Sequence, residues 1–329
     1  MRYVLIPFLM LASFVYVHVY AQADRRGETP LTIDAKPIAA FSKDHPAQTR
    51  FGDLEFRGGL VLSSSDSRFG GLSALNMEPD GENFLAISDR AYWLRGRIVY
   101  RDGRPVGITD AVMAPILDDK GKPSSWDTES LTRDGDIRYM GIERIHAIAK
   151  FDLGKDGFAA RGTFIETPVE LKKLPFNSSL ESLVFAPASH PLAGALIAVS
   201  EGGPDKAGNL RAFIIGGPKP GAFAVKQARK LEISDAALLP DGDLLLLERY
   251  YSILEGLFIR IRRIAKAEIV PGAIVDGQVL LDVDSRCEID NQEALSVHRN
   301  SAGEIILTLL SDDNYSPIQR TLLLQFALK

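Results

Sequence analysis

Acidic residues recur along this chain in two columns. The first is Glu129, Glu181, Asp235 and Glu293, with Ser73 at the same place in the earliest copy. The second is Asp89, Glu143, Glu201, Glu248 and Asp312, each closing an apolar run that follows a turn or loop. Carboxylates held a few ångströms apart repel one another, and all stay ionised only where something cationic compensates. Hard oxygen donors gathered in this way suit a divalent cation, Ca²⁺ ahead of Mg²⁺. The same acids could instead accept hydrogen bonds from turn amides and arginines and hold the repeats in register. The residues alone leave both readings open.

Three arginines directly follow acids of the second column: Arg90, Arg144 and Arg249. A guanidinium cluster there would grip a phosphate or a carboxylate. Regular strand geometry turns neighbouring residues to opposite faces, so arginines beside axis-facing acids need a bulge to re-aim them, or else serve as salt bridges between repeats. His146, two residues beyond Arg144, is a candidate general base because imidazole titrates near neutrality. No His/Cys spacing of the zinc type occurs, and neither Gly-x-Ser-x-Gly nor a Walker-type phosphate loop is present. Ser73 and Ser88 have no evident base partner in the sequence.

The elements that must position these residues are repeated. Each unit opens on an acidic or small polar residue and a short apolar stretch. It then passes a turn or loop, Pro-Asp-Gly in two copies, into a second apolar stretch that ends on an acid. Leu72 to Asp89 and Asp235 to Glu248 show the pattern most fully. Positions 73, 129, 181, 235 and 293 are 56, 52, 54 and 58 residues apart, room for about four strands of 5–6 residues with their turns. Asp-Gly between two apolar runs is a hairpin signal, because Gly tolerates the positive φ of a tight turn. Units of this size read as blades of an all-β propeller. Five units leave Leu54 to Leu62 and Thr321 to Leu328, both strand-like, and pairing these two ends in a shared blade closes the ring and removes exposed edges. The count that follows is six blades, with five or seven compatible.

The first residues concern the compartment. Met1-Arg2, a mostly apolar run from Val4 to Val19, and Ala21-Gln22-Ala23 have the order of a cleaved export signal. The division expected is a signal peptide over 1–23, an N-terminal extension over 24–50 and the propeller over 51–329, in the periplasm or secreted. Cys287 is the single cysteine, so stability rests on a large core and not on disulfides. A net charge of −5 with no basic stripe argues against nucleic acid as a partner. A monomer is expected, without stable membrane insertion once the signal is removed.

Phe69-Gly70-Gly71-Leu72-Ser73-Ala74-Leu75, Ser88-Asp89-Arg90, Glu143-Arg144-Ile145-His146, Asp290-Asn291-Gln292-Glu293-Ala294-Leu295 and the tail from Ser311 to Leu323 together resemble the phytase-like, esterase-like propeller family. The resemblance runs in order from about Gly52 to Leu328, and Ser178-Ser179-Leu180 and Ser252 to Gly256 depart from it. It implies a propeller fold and an esterase-like or phosphatase-like activity. The expectation that follows is an exported hydrolase of phosphoesters or carboxylic esters, metal-assisted at the mouth of the channel. Its substrate would be a small anion or ester. A sugar- or lactone-acting enzyme shares the same acid-lined channel. The alternative from another class is a non-catalytic periplasmic propeller that binds a ligand or a protein.

Overall fold

The computed structural model describes residues 27–176 and 180–329. The signal-peptide reading and Ser178-Ser179 lie outside them. Four strands come first: β1 (Thr29–Pro30), β2 (Asp34–Ile38), β3 (Arg50–Phe51) and β4 (Leu54–Ser63). Blade 1 is then β5 (Leu72–Met77), β6 (Asn83–Ser88), β7 (Tyr92–Arg101) and β8 (Arg104–Pro115), with β1 added along β8. Blade 2 is β9 (Thr128–Asp134), β10 (Ile137–Ile142), β11 (Ala147–Asp152) and β12 (Thr163–Phe164). Blade 3 holds β13 (Ser182–Phe185), β14 (Leu196–Val199), β15 (Asn209–Ile215) and β16 (Gly221–Lys226). Blade 4 holds β17 (Glu232–Leu238), β18 (Leu244–Ser252), β19 (Gly256–Ile264) and β21 (Gln278–Asp284), while the short β20 (Ile274–Val275) returns to lie parallel to β16. Blade 5 is β22 (Asn291–Arg299), β23 (Ile305–Asp312) and β24 (Thr321–Leu328), completed by β4 and β2.

The protein is thus an all-β propeller of five blades among the described residues, not six. The reason lies in the fifth unit, which supplies only β22 and β23 before the chain turns into its last strand. The two ends therefore complete this blade and do not form another. β24 pairs antiparallel with β4 from Thr321↔Leu62 to Leu328↔Leu54. The segment read as an N-terminal extension also belongs to the sheets, since β2 pairs with β4 and β1 with β8.

Burial explains why the strands read as they do. The hydrophobic core is divided into five clusters, each filling the gap between two successive blades, including the gap between blades 5 and 1. A blade in the ring is covered on both faces, so its inner strands are apolar without alternation. In β18, Leu244 and Leu246 enter the cluster shared with blade 3 while Leu245 and Leu247 enter the one shared with blade 5. The turns carry the expected chemistry. In Pro79-Asp80-Gly81 the Asp80 carboxylate accepts from the amides of Glu82 and Asn83 at 2.9 Å each, and Gly81 takes φ 71°, a region that favours glycine.

Serine hydroxyls tie the innermost strands of blades 1, 2 and 4 to the next blade. Ser73 Oγ donates to Thr128 O at 2.6 Å, Ser130 Oγ to Leu180 O at 2.7 Å and Ser234 Oγ to Gln292 O at 2.9 Å. These bonds link the starts of β5, β9 and β13 in one run, and those of β17 and β22 in another, at one mouth of the channel.

Candidate active site at the channel mouth

The inner hairpins of blades 1, 2, 4 and 5 carry an irregularity where the site is built. In blade 1 the register skips Ser73 between the pairs Leu72↔Ser88 and Ala74↔Ile87. In blade 2 it skips Glu129, in blade 4 Ser234 and in blade 5 Glu293. Glu181 directly precedes the first pair of blade 3, Ser182↔Val199. A bulge bends its strand and re-aims the extra side chain, and here it turns Glu129 and Glu293 toward the mouth. The position just past the preceding pair on the second strand is Asp89, Glu143, Arg249 and Asp312 in blades 1, 2, 4 and 5. Glu201 follows the last paired residues of β14 in blade 3.

Blade 4 therefore sits one residue out of step with the columns read from the sequence. Ser234, not Asp235, takes the first-column place, and Arg249, not Glu248, the second. Asp235 is buried and accepts from the amides of Ala236 and Leu295 at 2.7 Å each. It staples blade 4 to blade 5, and burial pushes its carboxyl well up. Glu248 is fully buried against Arg262, with contacts of 2.6 and 2.7 Å. Both residues serve the packing of the ring.

The remaining acids converge. Asp127, Glu129 and Glu143 bring one oxygen each within 4.8 Å of one another, as do Glu143, Glu181 and Glu201, so Glu143 is common to both triads. Burial raises the carboxyls of Glu129 and Glu181 well above the ordinary range, and the neighbouring acids push them further. Glu293 is raised by burial too, against the opposing effects of Arg249 and of Asn291. Burial lifts Asp312 to about 8, aided by Glu293 and Asp89, and Asp89 to about 6, aided by Asp127 and Glu293 against Arg90.

Arg249 enters this ring as its cation. Its guanidinium donates to Glu201 at 2.9 Å and to Asn291 Oδ1, and lies 3.4 Å from Glu293. Asn291 Nδ2 in turn donates to Glu293 Oε1 at 2.7 Å. Burial would weaken the charge of Arg249, but Glu293, Glu201 and Glu181 overcome it and hold the guanidinium more firmly protonated than usual. The other two arginines are at the rim. Arg144, largely exposed, pairs with Asp127 at 2.7 Å, and Arg90 lies 3.4 Å over the ring of Tyr315. His146 occupies the β10–β11 turn with φ 48° and belongs to neither triad. Burial lowers its pKa.

The glycine pair before β5 shapes the blade 1 side. A Cβ on Gly71, which has φ 58°, would stand 2.3 Å from Asp89 Oδ1 and 2.4 Å from the Tyr315 ring. Its amide donates to Asp313 at 3.0 Å. Asp89 Oδ1 is buried there without a hydrogen-bond partner. Sequence reasoning assigned no role to Asp127, Asn291, Ser234 or Asp313. Asp127 was detectable, since it lies two residues before Glu129, whereas Ser234 and Asn291 gain their places only through the bulges. At the opposite mouth a cavity of about 910 Å³ is lined by Thr132, Phe185, Leu238 and Val297, and none of the column acids lines it.

Fold and site together define a β-propeller with an acid-lined mouth that encloses the partly buried Arg249. The model of the phytase-like family, described as esterase-like activity of phytase, matches residues 67–315, and the chain belongs to that family. No curated protein matches it. Among solved structures it is similar to U3-55K, at 12% identity and TM-score 0.43 over 81% of this chain and 98% of that one. It is also similar to the glutaminyl cyclase of Myxococcus xanthus, at 10% identity and TM-score 0.41 over 79% and 92%. The Cps50 (Swd1) propeller domain of Myceliophteria thermophila gives 8% identity and TM-score 0.37 over 91% and 100%. Likenesses this distant carry no argument about what the mouth does.

Proposed function

We propose that the protein is an exported hydrolase of phosphoesters or carboxylic esters whose reaction site is the acid-lined mouth. The observation that carries this reading is the pair of carboxylate triads sharing Glu143 beside Arg249. So many buried acids can ionise together only with added positive charge, and their raised proton affinity is the same fact seen without it. The donor set is all oxygen, and Asp89 Oδ1 is unpartnered, which fits a hard divalent cation, Ca²⁺ ahead of Mg²⁺. Asp127, Glu129, Glu143, Glu181 and Glu201 would hold it, with the unpartnered oxygen of Asp89 beside them. Such a cation polarises the scissile group and lowers the pKa of a water nucleophile.

The chain's own groups divide the remaining work. Arg249, held in place by Glu201 and Asn291, offers positive charge to an anionic substrate or transition state. Asp312 at about 8 keeps its proton at neutral pH while Asp89 at about 6 has largely lost its own. Two carboxyls whose surroundings separate their pKa values supply an acid for the leaving oxygen and a base for water. Arg90 and Arg144 stand at the rim, where an anionic substrate would arrive.

A binding-only reading draws on one observation. The guanidinium of Arg249 is already engaged by Glu201, Glu293 and Asn291, as in a structural network. Purified protein assayed on aryl phosphates and short-chain aryl esters, with Ca²⁺, with Mg²⁺ and with chelator, separates the two. The hydrolase reading expects cation-dependent turnover that falls at least about a hundredfold in Glu143→Gln. No turnover of either substrate class under any condition would leave the binding reading standing.

A further inference from the structure

The hairpin between β18 and β19 leaves the ring just past Arg249, at the same mouth. Its ladder continues through Tyr250↔Phe258 and Tyr251↔Leu257 to Ser252↔Gly256, so the tip is held by regular pairing. At about 3.3 Å per residue, Ile253 stands about 13 Å beyond Arg249 along the strand. Short hairpin loops are normally polar, built from Gly, Asn and Asp. This one carries Ile253 at 90% and Leu254 at 97% exposure, with Tyr251 at 68%. Nothing in the fold or the acid site accounts for them. Phe176 and Ile318, on mouth-side loops of other blades, are exposed as well.

We propose that this hairpin is a peripheral docking element for a zwitterionic phospholipid surface, which turns the acid-lined mouth toward the bilayer. Two observations favour a lipid surface. Aliphatic side chains occupy the tip and tyrosines the level behind it, the order in which interfacial segments place apolar groups below the headgroups and aromatics among them. Charges around the hairpin nearly cancel: the cations Arg229, Lys230 and Arg260 stand with the acids Glu255 and Asp282, Arg260 being paired with Asp282 at 2.6 Å, and all line a cleft of about 510 Å³ with Tyr250 and Phe258. Such a surround is not repelled by a neutral headgroup layer, whereas the acids of the mouth oppose an anionic one.

The inference is independent of whether the mouth is catalytic, and so is its test. The full-length Leu254→Trp protein is mixed with phosphatidylcholine vesicles and with vesicles brominated along the acyl chains. The readout is local to the tip, so partition through the first residues does not register. With the wild-type emission subtracted, the introduced fluorophore should shift to the blue and be quenched by the brominated lipid. Introducing Ile253→Ser and Leu254→Ser together in the otherwise wild-type chain should lower vesicle partition by roughly tenfold. Water-like, unquenched emission from Leu254→Trp, or equal partition of the double variant and wild type, would overturn the proposal. A blue shift before vesicles are added would overturn it in favour of contact between two copies of the chain.

Discussion

Glu248 and Arg249 are adjacent, yet one is a buried structural acid and the other the cation of the mouth. Strand alternation makes the difference: Arg249 meets Glu201 and Glu293, so Glu248 faces away, to Arg262. Removing one partner of a fully buried pair leaves an uncompensated charge, so Glu248→Gln should destabilise the protein by about 3–5 kcal/mol in denaturant melts. It should leave any stabilisation by cation unchanged. The pH dependence of the cation-free protein follows from the mouth acids. Their pKa values are raised on folding, Asp312 from 3.8 to about 8 and Asp89 from 3.8 to about 6. The native state then binds more protons than the unfolded chain between the two values, and stability falls as pH rises through that window. In chelator, the melting temperature should drop as pH climbs from about 4 to about 8, and Asp312→Asn should flatten the upper part of that slope. A melting temperature that rises over this range would contradict the assignment.

At the scale of elements, the bulges decide which side chains face the axis. The periodic acids, the Pro-Asp-Gly turns and the repeat length were legible because each has a residue signature. The one-residue slip in blade 4 was not. Asp235 and Glu248 occur where acids recur in the other units, and a register skip at Ser234 leaves no mark in composition. The blade count failed for a related reason: Leu54 to Leu62 and Thr321 to Leu328 read as strands, but the sequence does not say how many strands the fifth unit still lacks. Gly71 is the element-scale hinge of the site. Its φ of 58° and the 2.3 Å approach of a Cβ to Asp89 leave no room for a side chain. Gly71→Ala should cost at least about 1–2 kcal/mol of stability, and it should also weaken cation binding by displacing Asp89. Calorimetric titration of the folded variant checks the second effect apart from the first.

At the scale of the whole molecule, the ring is held shut by the fifth blade, in which β24 joins the last strands to β4. Leu322, Leu324 and Phe326 belong to the cluster between blades 4 and 5, while Leu323 enters the one between blades 5 and 1. Deleting residues 322–329 would strip both cores and open two sheet edges. The loss should be global, seen as a collapse of amide exchange protection in every blade; protection lost in blade 5 alone would contradict a ring that stands or falls as one unit.

The central claim is that the mouth acids form a cation site distinct from the structural acids of the ring. Melting curves at pH 7.5 with Ca²⁺, Mg²⁺ or chelator, on wild type and Glu143→Gln, test it most directly. A ligand bound only by the native state stabilises by about 2.7 kcal/mol at a hundred times its Kd, so the wild type should melt several degrees higher in Ca²⁺ than in chelator. Glu143→Gln should lose most of that shift while melting no lower than wild type in chelator, because it removes a charge from a repulsive cluster. A wild-type melting temperature unmoved by either cation would contradict the account.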